Sequence, residues 1–162
     1  MMRKGFGVLE IIVALAIVGG SLYALASVFL LASASLEVST QKLQASFLAE
    51  EGFEVLRFLR DSGWDQNIVP LGGGSEYYLS FSPLASSWSI VSTSPGLIDG
   101  MFERSFRVDN ASRDSSANIE MTYNPANDDP ETKKVTTEVT WSFKNQNYVL
   151  VFETYLTDVF NN

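Results

Sequence analysis

The residues best placed to do chemistry stand together near the N-terminus, in Lys4-Gly5-Phe6-Gly7-Val8-Leu9-Glu10-Ile11-Ile12-Val13. A glycine precedes a phenylalanine, and a carboxylate follows at the mouth of a long apolar run. No charged side chain occurs from Ile11 to Ala34. As a helix rising about 1.5 Å per residue, this run crosses a hydrocarbon layer roughly 30 Å thick. A carboxylate inside such a segment costs about 2.5–3.5 kcal/mol on insertion scales. Glu10 is therefore expected to meet a positive partner, inside a membrane or inside an assembly.

Composition removes several other chemistries. The chain has no histidine and no cysteine. Ser-His-Asp and Cys-His nucleophile systems are excluded, as are the usual zinc ligand sets, so an enzyme is not expected. No disulfide is available, so the folded part must rely on packing, on contacts within an assembly or on a bound ion. The formal net charge is −8. So acidic a surface repels phosphate backbones, and nucleic acid is not an expected partner.

The N-terminal segment resembles the class III signal of type IV prepilins and of type II secretion pseudopilins. The resemblance rests on the short basic leader Met1-Met2-Arg3-Lys4-Gly5, the Gly5-Phe6 junction and Glu10. It implies that a prepilin peptidase cuts between Gly5 and Phe6, that Phe6 is N-methylated, and that Glu10 pairs with the freed amine of a neighbouring subunit. Where the family commonly has threonine after the first mature residue, this chain has Gly7. Loss of Arg3 and Lys4 with the leader would take the side-chain charge from −8 to −10. A secretory signal peptide has an apolar region of about 7–15 residues, and this run is longer. A plain signal anchor, with Arg3 and Lys4 keeping the N-terminus in the cytoplasm, accounts for the charges. It leaves Gly5-Phe6 and Glu10 without a purpose.

These residues need elements to position them. The apolar helix is expected over residues 6–34, following a leader of residues 1–5. Ala16, Gly20 and Ala24 form a small-xxx-small row that lets helices approach closely, a row also common in any membrane helix. Gly19-Gly20 weakens the helix locally, at about 1 kcal/mol per glycine relative to alanine. An amphipathic stem is expected over 35–62. Leu36, Leu43, Phe47, Leu48, Gly52, Val55, Leu56 and Leu59 form its core stripe, and Gly63 is its C-terminal cap. Glu37, Lys42, Glu50, Glu54, Arg57 and Asp61 supply the polar face. The stretch Ala49-Glu50-Glu51-Gly52-Phe53-Glu54, followed by Arg57-Phe58-Leu59-Arg60-Asp61, is similar to the stem helix of minor pilins and minor pseudopilins.

Residues 63–162 read as a globular β-sheet domain. Glu76–Phe81, Trp88–Val91, Met101–Val108 and Ile119–Tyr123 are expected strands. Val135, Thr137, Val139, Trp141 and Phe143 alternate with polar residues, and Lys144-Asn145-Gln146-Asn147 turns the chain into a last strand, Tyr148–Leu156. The glycine-rich Leu71–Ser75 is a loop but no phosphate site, since no Gly-Lys-Ser/Thr follows. The expected class is α+β, a long helix packed on an antiparallel sheet, which the resemblance specifies further as a pilin-like roll.

Two loop sites complete the reading. Asn127, Asp128, Asp129 and Glu131 gather the hard oxygen ligands that calcium prefers, though without the spacing of an EF-hand; no other cofactor is indicated. Asn110-Ala111-Ser112 is a glycosylation sequon in an expected polar loop. Tyr77, Tyr78 and Trp88 are candidate adhesive aromatics. The favoured function implied by the resemblance is a minor structural subunit of a type IV pilus-like filament. The alternatives are a minor pseudopilin of a type II secretion system and, in another class, a signal-anchored extracytoplasmic binding domain. The implied partners are other pilin or pseudopilin subunits, the prepilin peptidase, an inner-membrane assembly platform and membrane lipid. The implied location is the cytoplasmic membrane, with the C-terminal domain outside it and at the cell surface after assembly.

Overall fold

The computed structural model describes residues 7–160. Helix α1 runs from Val8 to Ser62. No proline interrupts it, and Gly19-Gly20 is carried without a break. Within its first part lies an 18-residue window of mean hydropathy 2.3, none of it buried. This helix is long and apolar enough to span a membrane. Two serine hydroxyls in the apolar stretch are satisfied within the helix: Ser21 Oγ donates to the Ile17 carbonyl at 2.8 Å, and Ser27 Oγ to that of Tyr23 at 2.9 Å. Such self-contained bonding is what a waterless environment requires of polar side chains.

The end of α1 differs from expectation. The helix stops at Gly63, whose backbone (φ 157°, ψ 103°) is not the left-handed cap conformation. The Leu59 carbonyl is satisfied by side chains instead, accepting from Ser62 Oγ at 2.9 Å and Asn67 Nδ2 at 2.8 Å. A single turn, α2 (Trp64–Asn67), follows and buries Trp64, with Ile68 buried after it. This turn was not expected from the sequence.

Among the described residues, five strands form one antiparallel sheet: β1 (Glu76–Ser82), β2 (Ser87–Val91), β3 (Phe102–Ser112), β4 (Asp128–Phe143) and β5 (Gln146–Thr157), in the order β2-β1-β3-β4-β5. The residues from Lys42 onward make one compact unit and those up to Gln41 another. In the larger unit α1 packs on the sheet, which establishes the α+β architecture. Val55, Leu56 and Leu59 meet Leu79, Phe106, Val108, Val135 and Leu156 around Trp64 and Ile68. A second cluster joins Ala45 and Ala49 to Phe102, Val139 and Trp141.

Several elements depart from the sequence reading. Ile119–Tyr123 is not a strand: Ile119 makes an isolated bridge to Arg113, and Met121 is fully exposed. β4 starts at Asp128, well before Val135, because its acidic N-terminal end pairs with Ala111 and Ser112 of β3. The β4–β5 turn is Lys144-Asn145, with φ of 49° and 61°, the geometry of a tight hairpin turn; Gln146 and Asn147 already belong to β5. Leu36, Leu43 and Phe47 of the expected core stripe are exposed. The face against the sheet is Ala45, Ala49, Gly52, Leu56 and Leu59, where small residues allow the strands to come close.

Candidate functional site

Glu10 lies in the first turn of α1, where the unpaired N–H groups of the helix favour a carboxylate. Its own N–H donates to the Gly7 carbonyl at 3.0 Å, and its side chain is exposed. It is the only charged residue between Val8 and Ala34. Gly20 has no atom within 4 Å of where a Cβ would stand, and Ala16 and Ala24 are exposed on the same helix. Among the described residues, nothing stands within 4 Å of the Cβ position at Gly20 in this row. Arg3, Lys4, Gly5 and Phe6, the residues expected at the cleavage junction and its basic flank, lie outside the described residues.

A second constellation was not foreseen as a unit. Arg104 projects from β3 on the same face as Phe102, Phe106 and Val108, and its side chain is 5% exposed. Its Nη1 donates to the Leu48 carbonyl at 2.7 Å and to Glu51 Oε2 at 2.9 Å. Gly52 makes room for it: a Cβ there would stand 3.1 Å from Arg104 Cδ. The stem motif around Ala49 and Gly52 thus has a physical basis, a smooth helix surface crossed by one arginine. An arginine in phase with the apolar residues of β3 was the signal available in the sequence.

In the expected calcium loop, Asp128 and Asp129 are engaged by protein groups. Among the described residues no group of three or more carboxylates is placed to hold an ion. Asn127 closes a 3-10 turn, and Asp128 accepts from Tyr123 Oη at 2.9 Å. Asp129 accepts from Arg113 Nε at 2.6 Å, while Arg113 also reaches the Ala117 carbonyl and Thr132 Oγ1. Asp129 Oδ1 also takes the Glu131 N–H at 3.1 Å. Burial pushes the Asp129 carboxyl up, but hydrogen bonds from Thr132, Arg113 and the Glu131 N–H, with the Arg113 charge, outweigh it and hold the group below the usual range. These residues clamp the start of β4 to the preceding loop.

The sequon is likewise placed differently. Asn110-Ala111-Ser112 lies in β3 at a register shift, with Ala111 and Ser112 buried. Lys133 Nζ donates to Asn110 Oδ1 at 2.6 Å. Of the aromatics, Tyr77 packs tilted against Phe106 with its hydroxyl on Gly72, and Trp88 packs on Phe81. Tyr78 Oη donates to Glu76 at 3.1 Å. All three stand in β1 and β2 and are half-buried. Comparison with protein-family models, curated proteins and solved structures finds no match to this chain.

Proposed function

We propose that the chain is a minor structural subunit of a type IV pilus-like filament, cleaved between Gly5 and Phe6 and assembled through its N-terminal helix. The observation that carries this reading is Glu10, a lone carboxylate exposed in the first turn of an otherwise apolar, membrane-length helix. An unpaired charge there is expensive and a paired one far less so. The N-terminal amine of a cleaved Phe6 on an adjacent subunit is a suitable partner, and the pairing would set the axial register between subunits. Methylation of that amine leaves its positive charge in place. The open row of Ala16, Gly20 and Ala24 supports close helix packing. The α+β unit from Lys42 onward suits the pilin-like roll, and Arg3 and Lys4 would hold the N-terminus in the cytoplasm with that unit outside.

The test is Glu10→Val in native cells. The variant is expected to insert in the membrane and to be cleaved, yet to be depleted from sheared filaments several-fold against wild type. Normal incorporation would overturn the role given to Glu10. Mass and N-terminal sequencing of the wild-type protein are expected to give methylated Phe6. A start at Met1, in cells with active prepilin peptidase, would reduce the chain to a membrane anchor.

A further inference from the structure

The fold uses only one edge of the Arg104 guanidinium. Nη1 makes both of its bonds, to the Leu48 carbonyl and to Glu51. Among the described residues, Nε and Nη2 have no hydrogen-bond partner, although the side chain is 5% exposed. Buried N–H groups are nearly always paired, because leaving one unpaired costs free energy. These nitrogens are also not sealed off. The described side-chain atoms that are both closed to water and unpartnered are Glu120 Oε2 and Thr137 Oγ1. Arg104 instead stands in the wall of an open cavity of about 260 Å³, together with Glu51, Leu79, Phe81, Trp88 and Ile98. Phe81 pairs with Trp88 across the β1–β2 hairpin, and their rings lie 5.1 Å apart. Phe81 is 48% exposed, so this aromatic pair is open to a ligand.

We propose that this cavity binds a small apolar monocarboxylate, with its carboxylate on the Nε–Nη2 edge of Arg104 and its apolar body against Phe81 and Trp88. Geometry argues for the carboxylate. The guanidinium edge presents parallel N–H groups that match two carboxylate oxygens, whereas an amide offers a single oxygen. Charge argues for one negative charge and no more. Glu51 already faces Arg104 at 2.9 Å and would repel a dianion strongly. Glu51 is 50% exposed, so water screens its charge better than that of the buried arginine. A single carboxylate therefore still finds net attraction in the cavity. Leu79, Phe81, Trp88 and Ile98 supply the apolar surface that holds the rest of a ligand. At about 260 Å³ the cavity is at the small end of ligand sites, which limits that body to about one ring. The carboxylate belongs to a free acid or to the C-terminal residue of a peptide. This site is independent of cleavage and of Glu10.

The test is calorimetric titration of the full-length protein in neutral detergent micelles with phenylacetate, phenylacetamide and a short Gly/Ser peptide ending in phenylalanine with a free carboxylate. Phenylacetate is expected to bind saturably, and phenylacetamide roughly tenfold more weakly, as loss of a charge-assisted bond predicts. Tighter binding of the peptide than of phenylacetate would assign the ligand to a chain terminus, and weaker binding to a free acid; both support the site. Arg104→Lys keeps a cation for the Leu48 carbonyl and Glu51 but lacks the fork. It is expected to keep the melting transition and to bind phenylacetate roughly tenfold more weakly. If Arg104→Lys does not fold, Phe81→Ala at its half-exposed position is expected to weaken phenylacetate binding several-fold. No saturable binding of either acid up to about 10 mM would overturn the site. So would equal affinity for phenylacetate and phenylacetamide, or unchanged affinity in a folded Arg104→Lys or in Phe81→Ala.

Discussion

Gly52 shows how much a single missing methyl group controls. Arg104 crosses the helix over it, and a Cβ would approach Arg104 Cδ to 3.1 Å. Gly52→Val is expected to destabilise the fold by about 1–3 kcal/mol, as overpacking does, read as a lower Tm. Arg104→Ala removes the obstructing side chain, so the double variant should lose less than the two single losses added together. Strict additivity would show that the close approach carries no energy. Asp129 allows a test by pH. Its carboxyl titrates lower when folded than unfolded, so it adds stability above its unfolded value of about 3.9, and this is lost as pH falls through the lower folded value. The stability gap between wild type and Asp129→Asn should therefore shrink below about pH 4 in thermal melts. A gap that is constant from pH 6 to pH 2 would contradict the clamp described for Arg113. At this scale the sequence was legible for Glu10, which stands out against apolar neighbours. It was silent on Arg104 with Glu51, which meet where α1 packs on β3, and on Arg113 with Asp129, which meet where β4 pairs beside the end of β3.

At the level of elements, the two ends of the chain differ in how openly they declare themselves. Length and hydropathy mark the first part of α1, and strict alternation marks β4 ahead of its turn into the apolar run of β5. The stem was harder, because large apolar residues occur on more than one face of it. Leu56 is buried against the sheet and Phe58 is 59% exposed, although they stand two positions apart. Leu56→Ala is expected to cost about 2–5 kcal/mol, and Phe58→Gln to stay within about 0.5 kcal/mol, in chemical unfolding of the full chain. Comparable losses would mean that the stem presents a different face. The Asp128-Asp129-Pro130-Glu131 end of β4 escaped detection since such residues are poor strand formers locally. Its pairing with Ala111 and Ser112 outweighs that preference.

At the scale of the whole molecule, an exposed apolar segment precedes a unit with its own core, the division falling between Gln41 and Lys42. A chain beginning at Lys42 is expected to be soluble without detergent and to unfold in one cooperative transition. Its near-UV circular dichroism should match that of the full chain. Loss of the transition would show that the core depends on the preceding segment. By itself the sequence determined the membrane-length helix, the lone carboxylate in it, the alternating strands and the α+β class. Each of these depends on hydropathy and period within a short stretch of chain. Only the tertiary structure decided which stem face is buried, where β4 begins, why Gly52 and Arg104 belong together, and that the acidic loop serves as an ion-paired clamp. Those outcomes depend on contacts between residues distant in the chain, where the proximity of one backbone to another selects among local preferences of similar energy.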